Sequence, residues 1–169
     1  QPLEGIPNFS EYSLEVEEEF AEVYEEILEM LEAEGVGTSV EIYSEERGMI
    51  ISFKEKIFFH IGSADLLPEA RNLLLKVGKI LASDYHHIRV EGHTCDLPIR
   101  TTFFPTNWEL STTRATNVTR FLIDEVGMTP GRLGATGYAE FRPITPNTSE
   151  ENRMRNRRVD ILLLSSNTF

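Results

Sequence analysis

The 169-residue chain is 40% hydrophobic and 26% charged, with a net charge of −12, a composition ordinary for one globular domain plus an appendage. No run of about 18 apolar residues occurs, so no segment is predicted to cross a bilayer as a helix. The single cysteine excludes an internal disulfide framework. Residues 1–60 hold 16 acidic against 3 basic side chains, and residues 61–169 hold 12 against 13. The acidity therefore belongs to the amino-terminal third, and without a basic stripe nucleic acid is excluded as a partner. The opening QPLEGIPN lacks an initiator methionine, an apolar leader and a positive flank. It reads as a piece of a longer precursor whose targeting segment lies upstream.

Residues 1–12, with Pro2, Gly5, Pro7 and Asn8, read as linker. From about Ser13 to Glu34 the pattern is helical, with Val16, Phe20, Val23, Ile27 and Met30 on one stripe. The opposite side carries Glu17, Glu18, Glu22, Glu25, Glu26, Glu29 and Glu32, which repel one another, so the stripe must pack to hold the helix. It either docks on its own domain or is a partner or self-pairing helix; Gly35 and Gly37 end it. Residues 1–37 thus form a linker and acidic amphipathic helix, 38–164 the domain, and 165–169 a tail. Val40–Tyr43 and Met49–Phe53 read as a strand pair around a turn. A second helix covers about 68–83, opened by Pro68. A strand at His87–Thr94 follows, then an irregular segment, 95–106. Asn107 is the expected N-cap of a third helix over about 108–126, closed by Gly127. Arg132–Tyr138 reads as a strand; a loop, a basic turn and a last strand at Val159–Leu164 complete the chain. The alternation predicts an α+β fold with helices on one face of a sheet.

On the third helix Leu110, Arg114 and Val118 fall four apart, with Leu122 continuing the face that a core would claim. A guanidinium there needs an anion, because an unpaired buried charge costs several kcal/mol. The anion is either an internal carboxylate, such as Glu91 or Asp160 on neighbouring strands, or the carboxylate of a ligand held in the arginine fork. In HHIRVEGHTC, Ile88, Val90 and Gly92 point one way and His87, Arg89, Glu91, His93 and Cys95 the other. Glu91, His93 and Cys95 are zinc-ligand types, but the spacing matches no zinc pattern and one strand cannot surround an ion. Ser63, Ser111 and Ser149 lack a G-x-S-x-G turn, and Cys95 with His93 two residues away is no nucleophile–base pair. No enzymatic activity, metal or cofactor is expected. The run ENRMRNRR is either a solvated turn or positive potential beside an anionic polymer.

Four stretches occur in order: GHT (92–94), NWELSTTRATNV (107–118), RLGATGYAEFRPI (132–144) and NRRVDI (156–161). With FHIGSADLLPEARNLLLKVGKIL ahead of them, they resemble the OmpA-like peptidoglycan-binding domain over about residues 50–164. NWELS behind the long loop DLPIRTTFFPT is similar to the branch found in flagellar stator subunits of the MotB and PomB type. The resemblance implies an OmpA-like mixed sheet with helices packed on one face. It implies a non-enzymatic domain that holds the diaminopimelate of the peptidoglycan stem peptide and anchors a stator unit to the wall. Further implied are a periplasmic location, a tether to the inner membrane through an upstream span, and a MotA/PomA-type channel subunit as partner. A homodimer and other periplasmic proteins of the flagellar base complete the implied partners.

The arginine of L-S-x-x-R-A, here Arg114, would take the diaminopimelate carboxylate. The aspartate that the family places after G-H-T, for the ammonium, is here Cys95. A thiol cannot replace its charge-assisted hydrogen bond, so Asp96 is expected to substitute imperfectly, or loop 95–106 to rearrange. The candidate ligand-binding residues are Arg114, Asp96, Thr94, Cys95, Asn107, Leu110, Ser111, Arg153 and Arg157. Two other readings remain open: a dimerisation or structural module with weak or no wall binding, and another OmpA-like anchor such as a Pal-type lipoprotein domain.

Overall fold

The computed structural model describes residues 18–166. The linker and the first turn expected from Ser13 lie outside the described residues, as do residues 167–169 of the tail. Helix α1 (Ala21–Glu34) leads into strands β1 (Val40–Glu45) and β2 (Gly48–Lys54), followed by a four-residue helix α2 (Glu55–Phe58). Helix α3 (Pro68–Ser83), β3 (Ile88–His93), α4 (Asn107–Asp124), β4 (Leu133–Gly137), α5 (Glu150–Asn156) and β5 (Arg158–Leu164) complete the chain. The five strands form one sheet in the order β1-β2-β5-β3-β4, with β3 and β4 parallel and all other pairs antiparallel. The parallel pair needs a crossover, and α4 supplies it. This is the α+β fold that the sequence predicts.

Alternation along the strands decides which side the helices take. Ile51 and Phe53 of β2, Val159, Ile161 and Leu163 of β5, and Ile88 and Val90 of β3 enter one core with Leu74, Val77 and Leu81 of α3 and Val118 and Leu122 of α4. The apolar stripe before and along α1 joins the same core: Phe20, Ile27 and Leu31 are at most 4% exposed. The acidic helix is thus docked on its own domain, against α3. Its glutamates are spent toward solvent, and Gly35 closes it in the left-handed conformation at φ 69°.

Two close approaches seat α4 on the sheet. A Cβ on Gly92 would lie 2.1 Å from the Ser111 carbonyl oxygen, and one on Gly137 2.4 Å from the Thr112 backbone nitrogen. Both glycines are therefore required by contact, not by a turn. The N-cap of α4 differs from expectation. Thr106 caps it, its hydroxyl accepting from the Trp108 N–H at 3.2 Å while the Glu109 carboxylate accepts from the Thr106 N–H at 2.9 Å. That reciprocal pair outcompetes Asn107, whose side chain is used elsewhere. The basic turn is also a helix, α5, capped by the Ser149 hydroxyl accepting from the Asn152 N–H at 3.1 Å.

Candidate functional site: a cleft between β3, α4 and α5

A half-open cleft of about 480 Å³ lies where the end of β3, loop 95–106 and the starts of α2 and α4 converge with α5. Its walls include Thr94, Cys95, Leu97, Ile99, Asn107 and Leu110, with Glu55, Glu150 and Arg157 as the charged groups. Asn107 fixes the loop wall. Its Nδ2 donates to the Leu97 carbonyl at 3.1 Å and to Glu140 Oε2 at 2.8 Å. Thr94 fixes the strand end: its N–H donates to the Ala139 carbonyl at 2.9 Å and its hydroxyl to the Cys95 carbonyl at 2.9 Å.

Of the nine residues singled out in the sequence, Thr94, Cys95, Asn107, Leu110 and Arg157 line this cleft. Ser111 does not; it is fully buried, and its hydroxyl donates to the Trp108 carbonyl and accepts from the Ala139 N–H at 3.0 Å. It thereby holds Ala139 at a φ of 53°, a conformation that costs a non-glycine residue about 1 kcal/mol or more. Asp96 is no part of the cleft wall and pairs with Arg153 at 2.9 Å. Two of the expected ligand residues thus satisfy each other at the surface. Alternation predicts Cys95 on the side of Glu91 and His93, but β3 ends at His93 and Cys95 lies on the cleft wall instead, while Asp96 does not.

Arg114 is 2% exposed and is met by an internal acid. The acid is neither Glu91 nor Asp160 but Glu55, at the start of α2, whose Oε2 accepts from Arg114 Nη1 at 2.5 Å. Nε donates to the Ser63 carbonyl at 2.7 Å, Nη2 to the His60 carbonyl at 3.2 Å, and the guanidinium lies 4.7 Å from the centre of the Phe59 ring. Burial pulls the Arg114 pKa below its ordinary value against the opposing charge of Glu55. Glu91 and Asp160 were excluded by geometry: both lie on the sheet face away from α4. There Arg47 forks Glu91 at 3.0 and 3.3 Å, and Arg158 donates to Asp160 at 3.1 Å.

The guanidinium that reaches the cleft is Arg157. Its Nη1 donates to Cys95 Sγ at 3.4 Å and its Nη2 to Glu150 Oε1 at 2.5 Å; Nε lies 3.5 Å from Glu55 Oε1. Burial works to lower its pKa, but the hydrogen bonds to Glu150 and Cys95 prevail and hold it above the ordinary arginine value. The neighbours of Arg157 explain the NRR motif. Asn156 is fully buried and clamps loop 144–147, donating to the Thr145 carbonyl and Asn147 and accepting from the Ile144 and Thr145 N–H groups. Arg158 turns to the opposite face, donating to the Asn156 and Arg142 carbonyls.

Sequence reasoning missed Glu55, Glu150 and the apolar rim of Ile61, Leu97 and Ile99. The signal available in the sequence was apolar residues placed in irregular segments, and the structure leaves Ile61 92% and Leu97 48% exposed. Among the described residues, Glu91, His93 and Asp160 are the group of metal-ligand types, their ligand atoms within 4.8 Å of one another. Both carboxylates are already paired, with Arg47 and Arg158, so an entering cation would have to displace a guanidinium from each. Cys95 is not in that group. Of the serines weighed as nucleophiles, Ser63 accepts from the Asp65 N–H and Ser149 caps α5.

Residues 58–157 match the OmpA family. Motility protein B of Bacillus subtilis is 30% identical over 149 residues, which are 88% of this chain and 57% of that protein. The crystal structure of a putative MotB-like protein from Desulfovibrio vulgaris superimposes with a TM-score of 0.80 at 31% identity, over 90% of this chain and 98% of that one. The structure of the cell wall anchor of the type VI secretion system from Pseudomonas aeruginosa gives 0.75 at 29% identity, over 83% and 97%. The chain spans about half the length of the curated relatives it matches. On the matched residues and the superposition with related structures, the chain belongs to the OmpA family.

Proposed function

We propose that this domain is a non-catalytic anchor that binds the peptidoglycan stem peptide in the cleft, at the free end of diaminopimelate. The observation that carries the reading is the pairing of Arg157 with Glu55 and Glu150 on a wall whose other residues are uncharged and mostly apolar. A ligand end with a carboxylate and an ammonium on one carbon needs one group of each sign within a few ångströms. An apolar cleft with few polar groups fixes its orientation. The solved neighbour described as a cell wall anchor and the relatives named motility protein B support the same assignment. In the whole protein, the domain would hold a flagellar stator unit against the wall from the periplasm. An upstream membrane tether, a channel-forming partner subunit and pairing into a dimer belong to that reading.

Co-sedimentation with purified diaminopimelate-type sacculi tests it. The wild-type chain should pellet, and Arg157→Ala should weaken binding roughly ten- to a hundredfold through loss of a charge-assisted contact. A wild-type chain that stays in the supernatant favours the second reading, a stator module for assembly without wall binding. That alternative draws on Arg114 being buried and paired with Glu55 within the chain and on a thiol standing in the family's aspartate position.

A further inference from the structure

Resting on that reading, we infer that Glu55 is the carboxylate that receives the ligand's ammonium, with Arg114 as its positioning residue. The acid that the family sequence pattern places at the strand end has moved to the first residue of α2. Three observations carry this.

Glu55 lines the cleft beside Cys95 and Arg157, while Arg114 and Asp96 do not. Its carboxylate lies between two guanidiniums, Oε2 on Arg114 Nη1 at 2.5 Å and Oε1 facing Arg157 Nε at 3.5 Å. Its backbone is fixed as well, the Glu55 N–H donating to the Arg157 carbonyl at 3.0 Å. The carboxylate is thus held in place before any ligand arrives, and a carboxylate has lone pairs beyond those two contacts.

Arg114 holds the segment that carries it. All its polar partners and its ring contact lie in residues 55–63: Glu55, Phe59, His60 and Ser63. The Asn117 Nδ2, one turn along α4, adds a bond to the Ala64 carbonyl at 2.8 Å. Arg114 is buried and no part of the cleft wall, which leaves the contact with a ligand carboxylate to Arg157. A ligand carboxylate reaching Arg157 competes with the exposed Glu150, whose side chain is 61% accessible. The ammonium on the same carbon then comes to Glu55.

The test compares two soluble stem tripeptides. One carries meso-diaminopimelate; the other carries 2-aminopimelate, which keeps the terminal carboxylate but lacks the ammonium beside it. The wild-type chain should bind the first roughly ten- to a hundredfold more tightly, the worth of a charge-assisted hydrogen bond. Glu55→Gln should bring the two affinities together, and Cys95→Asp added to it should restore the preference. Arg114→Lys should lower the preference in the wild-type background and leave it unchanged in the Glu55→Gln background. A Glu55→Gln chain that keeps the full preference overturns the assignment while leaving stem-peptide binding intact. Failure of the wild-type chain to bind either peptide overturns both. Should Glu55→Gln not fold, the carboxyl carbon signal of Glu55 in labelled wild-type protein decides. It should shift with the diaminopimelate peptide and not with its analogue, and an unmoved signal ends the proposal.

Discussion

His93 shows how a single side chain reports its surroundings. It is 5% exposed, stacks on Tyr138 at 5.3 Å, and neither ring nitrogen has a hydrogen-bond partner. Burial, then the nearby charges of Arg158, Arg142 and Arg47, push its pKa down to about 2 from an ordinary 6.5. The folded state therefore refuses a proton that the unfolded chain takes up below pH 6.5. Stability is full above that value and falls with acidity, by up to about 1.4 kcal/mol per pH unit. His93→Phe keeps the stacked ring and removes both unsatisfied atoms, so it should stabilise the domain by about 1–3 kcal/mol at neutral pH. The gain should widen between pH 6.5 and the acid range, and urea titrations across that range would show it; a constant difference would contradict the assignment. At this scale the sequence was half legible. Spacing alone showed that Arg114 needs an anion, but not which one. Glu55 comes to it through a four-residue helix with no periodicity of its own, whereas Glu91 and Asp160 were visible on strands and lie on the wrong face.

Elements were legible where the signal is local. Pro68 and the apolar spacing gave α3 its observed bounds, whereas the close approach of α4 to the sheet at Gly92 and Gly137 appears only in the structure. The cleft was not legible, because its walls come from segments far apart in sequence, around residues 55, 61–62, 94–101, 107–110 and 150–157, brought together by contacts such as the pairing of Lys54 with Arg158. The docking of the amino-terminal helix is a similar case. Glu19, just ahead of α1, accepts from the Ser165 hydroxyl at 2.8 Å and the Ser166 N–H at 2.9 Å, and faces His86 Nε2 at 2.8 Å. Burial acts to raise its pKa, but the hydrogen bonds from Ser166, Ser165 and His86 outweigh it and hold the value at about 2. A depressed carboxylate stabilises the fold above its unfolded pKa, near 4.5, and loses that contribution as pH falls toward 2. Glu19→Gln should cost about 1–3 kcal/mol at neutral pH. Its deficit should vanish in the acid range, and equal loss at pH 7 and pH 2.5 in chemical unfolding would disprove the clasp.

For the whole molecule, the charge asymmetry suggests a boundary that the packing does not respect. The first 60 residues hold most of the excess acid, and Gly35 and Gly37 suggest a joint between an appendage and a domain beginning near residue 38. Yet Phe20, Ile27 and Leu31 sit in the same core as the sheet and α3, each at most 4% exposed. Burying each such side chain is worth roughly 1.5–3 kcal/mol, so the three together contribute on the order of the lower half of a domain's total stability, about 5–15 kcal/mol. The acidic face gives little back: among the described residues Lys76 to Glu34 is the ion pair joining α1 to α3. A chain starting at residue 38 should therefore unfold at far lower urea than the full chain, or fail to fold cooperatively. Ile27→Ala in the full chain should alone cost about 2–5 kcal/mol. If the shortened chain matched the full one in midpoint and slope, α1 would be a dispensable appendage and its burial without energetic weight. A large loss would make α1 part of the domain, so that any pull on the chain upstream of it is transmitted directly into the core that supports α4 and the cleft.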